Sequence, residues 1–301
     1  MVAMAAVAIA CGGCAVLRHA AEPGSAPVKP VEAPLTPRTS SYLGVYEAEG
    51  PTSYSQVRVF AANVNRMPNI VLYYSGWGEP FRQQFAMEAR ENKAVVLVQI
   101  NPVGVSLAQI AAGAYDTYLR QYADQVRTFA HPVIIGFAHE MNGGWYPWGL
   151  RRVPAATWIA AWRHVVTVFR QEGADNVTWL WTINRLGPGV GSPRNWWPGA
   201  RFVTWVGIDG YYDTPRGRFG TVFAPAIKSV RKFTNRPILL SEVGISAQAS
   251  APTQIPLLFA AIREYRLLGL VWFDVPGRQD WRLEADPPAL AAFRQALTRY
   301  K

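Results

Sequence analysis

Cysteine is nearly missing from this 301-residue chain: Cys11 and Cys14 are the only two, and both lie in the first apolar stretch. The body of the chain therefore has no disulfide framework and no thiol nucleophile, and a redox or zinc CxxC is out of place in such a stretch. Histidine is scarce too, with four in all. His139-Glu140 is not a zinc motif, because a helical site needs a second His four residues on and position 143 is Gly. Gly187-Pro188-Gly189-Val190-Gly191 has the glycine count of a phosphate loop, yet it contains Pro and leads into Ser192-Pro193-Arg194-Asn195-Trp196 rather than a helix. It reads as a rim loop. No Ser–His–acid order stands out, and no metal or cofactor is expected.

Charged residues make up only 17% of the chain against 50% apolar, which excludes disordered and collagen-like classes. Acids are the minority charge, 20 against 30 Lys and Arg, for a net +10. The excess comes from Arg spread along the whole chain with no basic block, which argues against a nucleic-acid partner and fits a general attraction to acidic surfaces or polymers.

Met1 to Leu17 carries no charge and is followed by Arg18, the pattern of a signal-peptide core or short anchor, although it lacks a basic start. Secretion or tethering at the cell surface is the expectation, with lipidation at Cys11 a minor option. Residues 1–19 are thus set apart as this segment. Residues 20–39 are rich in Pro and Ala without apolar periodicity and read as a tether, and a single domain spans 40–301.

Within that domain short β-rich runs alternate with helical patterns, the signature of βα units. Eight strands are predicted: Tyr42–Tyr46, Asn69–Tyr74, Ala94–Ile100, Pro132–Phe137, Val177–Thr182, Phe202–Ile208, Pro237–Leu240 and Leu270–Phe273. Trp158, Trp162, Val165, Val166 and Phe169 recur at helical spacing and form a one-sided core helix. Asp286-Pro287 is expected to cap the last helix, and Pro256 to open one that Gly269 closes. Eight units over this length predict a (β/α)8 barrel.

In such a barrel the chemistry sits at the C-terminal ends of strands. Few acids qualify: Glu140 after the fourth strand, Asp209 and Asp213 after the sixth, Glu242 after the seventh, Asp274 after the eighth, and Glu79 after the second. Glu140 lies in His139-Glu140-Met141-Asn142-Gly143-Gly144-Trp145-Tyr146-Pro147-Trp148-Gly149, a carboxylate among polar groups, Gly and aromatic rings. Rings of this kind stack on sugars. Glu242, in Leu239-Leu240-Ser241-Glu242-Val243-Gly244, is delivered by an apolar strand. Two carboxylates on opposite walls can protonate a glycosidic oxygen and attack the anomeric carbon when they stand about 5–5.5 Å apart. The residues alone do not say which does which.

These segments, with Gly113-Ala114-Tyr115-Asp116-Thr117-Tyr118, Trp205-Val206-Gly207-Ile208-Asp209-Gly210-Tyr211 and Val271-Trp272-Phe273, resemble glycoside hydrolase family 26, β-mannanase-like retaining glycosidases on a (β/α)8 barrel. The resemblance implies that Glu140 is the general acid/base and Glu242 the nucleophile. It also implies that His139 holds the nucleophile or a sugar hydroxyl, that Tyr211 reaches the nucleophile, and that Trp145 and Trp272 line the subsites. A β-linked polysaccharide or oligosaccharide is the implied substrate, and a monomer is expected.

The sequence departs from the family where some mannanases carry a further His after the third strand; here Gln99-Ile100-Asn101-Pro102 stands in its place. Asn101 is expected to substitute as the hydrogen-bonding group. This loosens the implication of mannan and leaves mixed-linkage β-glucan, β-1,3-xylan or a barrel that only binds sugar as alternatives. Trp77 and Asn184 are further expected sugar contacts. Trp148 is expected farther along the rim loop, its loss lowering activity on all substrates together.

Overall fold

The computed structural model describes residues 30–300. The signal-like segment, Cys11 and the start of the tether lie outside the described residues. Among the described residues, no helix is long and apolar enough to cross a membrane.

Eight parallel strands close in chain order into the expected barrel: β1 (Tyr42–Tyr46), β2 (Ile70–Gly76), β3 (Val95–Asn101), β4 (Val133–Phe137), β5 (Val177–Asn184), β6 (Trp205–Tyr212), β7 (Ile238–Ile245) and β8 (Gly269–Phe273). Between and after them run α1 (Ser55–Val64), α2 (Gln83–Glu91), α3 (Leu107–Ala111), α4 (Asp116–Phe129), α5 (Ala155–Gln171), α6 (Phe219–Val222), α7 (Ala224–Val230), α8 (Ala251–Glu264) and α9 (Pro287–Leu297).

Strand alternation sorts the side chains into two cores. Ile70, Leu72, Leu97, Ile134, Leu180, Trp205, Leu239 and Val271 fill the lower lumen. Their neighbours Val71, Tyr73, Val96, Val98, Ile135, Trp181, Val206 and Leu240 point outward and pack under the helices. The apolar face of α5 behaves as expected, burying Trp158, Trp162, Val165, Val166 and Phe169.

Several expected boundaries move. Residues 200–202 form a 3-10 turn, so β6 begins at Trp205 and runs on through Asp209 and Tyr211. β7 continues to Ile245, so Glu242 lies inside the strand rather than after it. Pro256 does not open a helix. α8 starts at Ala251, with Pro252 in its first turn, and Pro256 falls inside it. Gly269 does not close that helix either; it opens β8 at φ 155°, where a Cβ would stand 1.8 Å from the Tyr42 carbonyl oxygen. Asp286 caps α9 as expected, its side chain accepting from the Ala289 N–H at 3.1 Å.

Residues 31–300 belong to one compact unit. The tether's last stretch lies against the N-terminal end of the barrel. Glu32 N–H donates to the Ala130 carbonyl at 2.8 Å and Leu35 N–H to Thr178 Oγ1 at 3.0 Å, while Leu35 packs on the lumen core.

Candidate active site

The chain leaves β4 through an unusual backbone. Ala138 and Glu140 both have positive φ, 48° and 54°, a region that side-chain-bearing residues seldom occupy and that needs support from the surroundings. Support comes from both neighbouring strands: Ala138 N–H donates to the Ile100 carbonyl and Glu140 N–H to the Thr182 carbonyl, each at 3.0 Å. The turn aims the Glu140 carboxylate across the barrel mouth. Trp145 folds back over Gly143, where a Cβ would come within 2.2 Å of the indole, and donates its N–H to Glu140 Oε2 at 2.6 Å. Asn184, at the end of β5, donates its amide to Glu140 Oε1. Asn142 locks that amide in place, accepting the Asn184 N–H at 2.9 Å and donating to its carbonyl at 3.0 Å.

Glu242 stands on the opposite wall. Gly207 pairs with Leu239 and Asp209 with Glu242, so β7 holds one residue more than β6 over this stretch. Such a bulge breaks strict alternation and turns the consecutive Ser241 and Glu242 side chains both toward the lumen. Tyr211 donates its hydroxyl to Glu242 Oε2 at 2.5 Å, and Tyr74, from β2, donates to Oε1. Ser241 donates to Asp209 Oδ1 at 2.5 Å, while Asp209 Oδ2 is buried without a partner.

Glu140, Asp209 and Glu242 each bring a carboxylate oxygen within 4.8 Å of the other two. Burial raises the pKa of all three. Glu140 is pushed up to about 8 by burial and then by the Glu242 charge, against the downward pull of its Asn184 and Trp145 donors. Glu242 is raised by burial and held back by its two tyrosine donors. Asp209, fully enclosed beside both glutamates, is raised well above the carboxylate range. The trio has the spacing of a cation site, but five of its six carboxylate oxygens already accept hydrogen bonds from side chains. What the arrangement can do is hold one proton at Glu140 while Glu242 carries charge.

Of the residues expected here, Glu140, Glu242, Tyr211, Trp145 and Asn184 come together. Asn184 does so by gripping Glu140 rather than as a free sugar contact. Asn101 ends β3 with its side-chain oxygen buried and unpartnered. His139 does not hold the nucleophile: its Nε2 meets the Tyr146 hydroxyl at 3.1 Å, and Nδ1 is buried without a partner. Burial lowers its pKa to about 3, so the ring is neutral.

Two tryptophans, Trp272 and Trp148, are misplaced by the sequence reading. Trp272 does not line the mouth; it is 1% exposed, packs edge-on to Phe293 of α9 and donates to the Trp281 carbonyl at 2.9 Å. It is an outward residue of β8, and the mouth position falls to its neighbour Phe273. Trp77 packs on Tyr115, Tyr118 and Phe137 over α4. Trp148 is not a rim contact but lies 1% exposed beneath the Glu140 turn.

Sequence reasoning missed Tyr74, Tyr46, Phe273 and Trp281. Tyr46 stacks on Phe273 with centroids 4.7 Å apart, and Trp281 lies 4.9 Å from Tyr211, so these rings wall the Glu242 side. The inward parity running Ile70, Leu72, Tyr74 was the available signal. Asp209 was noted but given no role. Asp213 and Glu79 pair with Arg185 and Arg82 instead.

The profile of glycosyl hydrolase family 26 matches residues 59–280. The chain belongs to glycosyl hydrolase family 26. Endoglucanase H of Acetivibrio thermocellus is 28% identical over 85% of this chain and 30% of its own length. A mannan endo-1,4-beta-mannosidase of Caldalkalibacillus mannanilyticus is 29% identical over 31% of this chain and 19% of its own. The chain thus spans under a third of these relatives. Among solved structures, the catalytic domain of the Bacillus sp. JAMB-750 GH26 endo-beta-1,4-mannanase superposes with a TM-score of 0.66 at 16% identity, over 86% of this chain and 85% of that one. At that identity the likeness shows the fold alone.

Proposed function

We propose that this family 26 enzyme is a retaining endo-β-glycanase of the β-1,4-mannanase kind, with Glu140 as acid/base and Glu242 as nucleophile. The observation that carries the reading is the carboxylate separation, within 4.8 Å between oxygens. Retaining enzymes hold the pair about 5–5.5 Å apart, and inverting enzymes about 6.5–9.5 Å apart to admit a water. The environments support this division of roles. Protonated Glu140 gives its proton to the glycosidic oxygen as Glu242, its charge supported by Tyr74 and Tyr211, forms a bond to the anomeric carbon and the C–O bond breaks. Glu140, now ionised, then takes a proton from the water that attacks the same carbon, freeing Glu242.

Trp145, 52% exposed beside Glu140, and the Tyr46–Phe273 wall beside Glu242 are rings on which sugars stack. A second substrate is favoured by a specific observation: the relative matching along most of the chain bears the name of an endoglucanase, so mixed-linkage β-glucan stands beside mannan. The reading places the enzyme outside the cell on the strength of the uncharged stretch Met1–Leu17.

The test is reducing-sugar release from mannan, mixed-linkage β-glucan and β-1,3-xylan, with the two glutamates replaced in turn. Glu242→Ala should abolish turnover and be partly rescued by azide, giving a product of inverted configuration. Glu140→Ala should still form the glycosyl-enzyme from a substrate with an activated leaving group and break it down slowly. Interchanged behaviour reverses the roles, and sugar binding without any hydrolysis by the parent overturns the reading.

A further inference from the structure

Two buried carboxyl groups stand outside the reacting trio. Glu47 directly follows β1 and Asp274 directly follows β8. The two strands pair with Tyr46 opposite Phe273, which sets the next residues side by side. They are 7% and 5% exposed, so the two carboxyl groups face each other away from water. Two buried carboxyl groups held side by side can bond to each other only when one keeps a proton. Among the described residues no cation takes its place: Arg282 lies near Asp274 but is ion-paired to Asp280 at 2.6 Å. The other groups facing the pair are the acids Glu49, from the loop after β1, and Glu284, from the turn before α9, and the Tyr46 phenol.

Asp274 closes the loop that follows β8. Its N–H donates to the Tyr46 carbonyl at 3.0 Å and its Oδ1 accepts the Leu283 N–H at 2.8 Å. Between these ends lies Trp281, whose ring rests 4.9 Å from that of Tyr211. Tyr211 in turn donates to Glu242 at 2.5 Å. A continuous set of contacts thus runs from Glu47 through the loop to the nucleophile's support.

We propose that Glu47 and Asp274 are positioning residues that share one proton to clamp the loop between β8 and α9, and so hold Trp281 and Tyr211 against Glu242. The inference rests on Glu242 being the nucleophile. Burial and the neighbouring acids push Glu47 up to about 10 and Asp274 to about 7. The singly protonated clamp therefore spans the neutral and mildly alkaline range and opens as pH passes the higher value.

The test uses the full chain and reads the loop separately from turnover, through tryptic cutting after exposed Arg278 at its tip. At pH 8, Glu47→Ala should be cut about tenfold faster than wild type and lose about tenfold in kcat with KM within about twofold. Glu47→Gln should restore both, because its amide donates to Asp274 without a titrating proton. The ratio of wild-type to Glu47→Gln cutting should rise as pH approaches 10, the protease's own pH dependence cancelling. Wild-type behaviour of Glu47→Ala, or Glu47→Gln as impaired as Glu47→Ala, overturns the clamp. If Glu47→Ala does not fold, the ratio decides alone, a flat ratio being the overturning result. Should Glu242→Ala retain turnover, the nucleophile reading fails while the cutting rates still judge the clamp.

Discussion

Trp148 donates its indole N–H to the backbone carbonyl of His139 at 2.7 Å. The ring lies flat on Tyr146, with centroids 4.6 Å apart and planes 8° from parallel, and Tyr146 meets His139 Nε2. One buried indole thus underpins the residue that precedes the acid, on a backbone with two left-handed residues.

Trp148→Phe is therefore expected to act through the turn and not through substrate contact. It keeps the stack and loses the hydrogen bond, costing about 1 kcal/mol of stability. Trp148→Ala, which empties a packed site, costs about 3–5 kcal/mol. In both, kcat should fall more than KM rises. Thermal denaturation beside steady-state kinetics on a soluble glycan checks this; a pure KM effect would return Trp148 to the rim.

Tyr74 and Trp145 should move opposite limbs of the pH profile of kcat/KM upward. A donor to a carboxylate favours the ionised form. Tyr74→Phe removes one from Glu242, so the acidic limb moves to higher pH, with a loss of about 10–100-fold for a hydrogen bond to charge. Trp145→Phe removes one from Glu140, so the alkaline limb, near 8 in the parent, moves higher still.

Glu140 carries a stability cost that grows with pH. Its folded pKa, about 8, is raised from the ordinary 4.5, so the folded state keeps a proton that the unfolded chain releases. Stability on this account is full below about pH 4.5 and declines as pH rises toward 8. Glu140→Gln does not titrate, and it should be more stable than wild type at pH 7 by about 3 kcal/mol, the gap closing near pH 4.5. Chemical denaturation at the two pH values measures it; an equal gap at both would exclude the linkage.

Asn101 is the expected discriminator between substrates. Its buried, unpartnered oxygen is a group that the right sugar satisfies and the wrong one leaves unpaired, and such mismatches carry a penalty. Asn101→Ala should change the ratio of activities on mannan and mixed-linkage glucan. Equal proportional losses on every substrate would remove it from the specificity argument.

The repeating βα pattern and the local motifs around Glu140 and Glu242 were legible in the sequence, because apolar runs and helical periodicity are properties of short stretches. Even Asp286 as a cap and the core face of α5 could be read residue by residue. Which side of a strand a ring occupies was not legible in the same way. Trp272 and Phe273 are adjacent, and only closure of β8 against β1 and β7 put the phenylalanine in the mouth and the indole under α9. The extra residue in β7 that turns Ser241 and Glu242 to the same side exists only relative to the register of its neighbours. Tyr74 reaches Glu242 across 168 residues of sequence, and Glu47 meets Asp274 because the first and last strands pair. Such contacts form where a sheet closes on itself, so tertiary structure alone decided how the two glutamates are held.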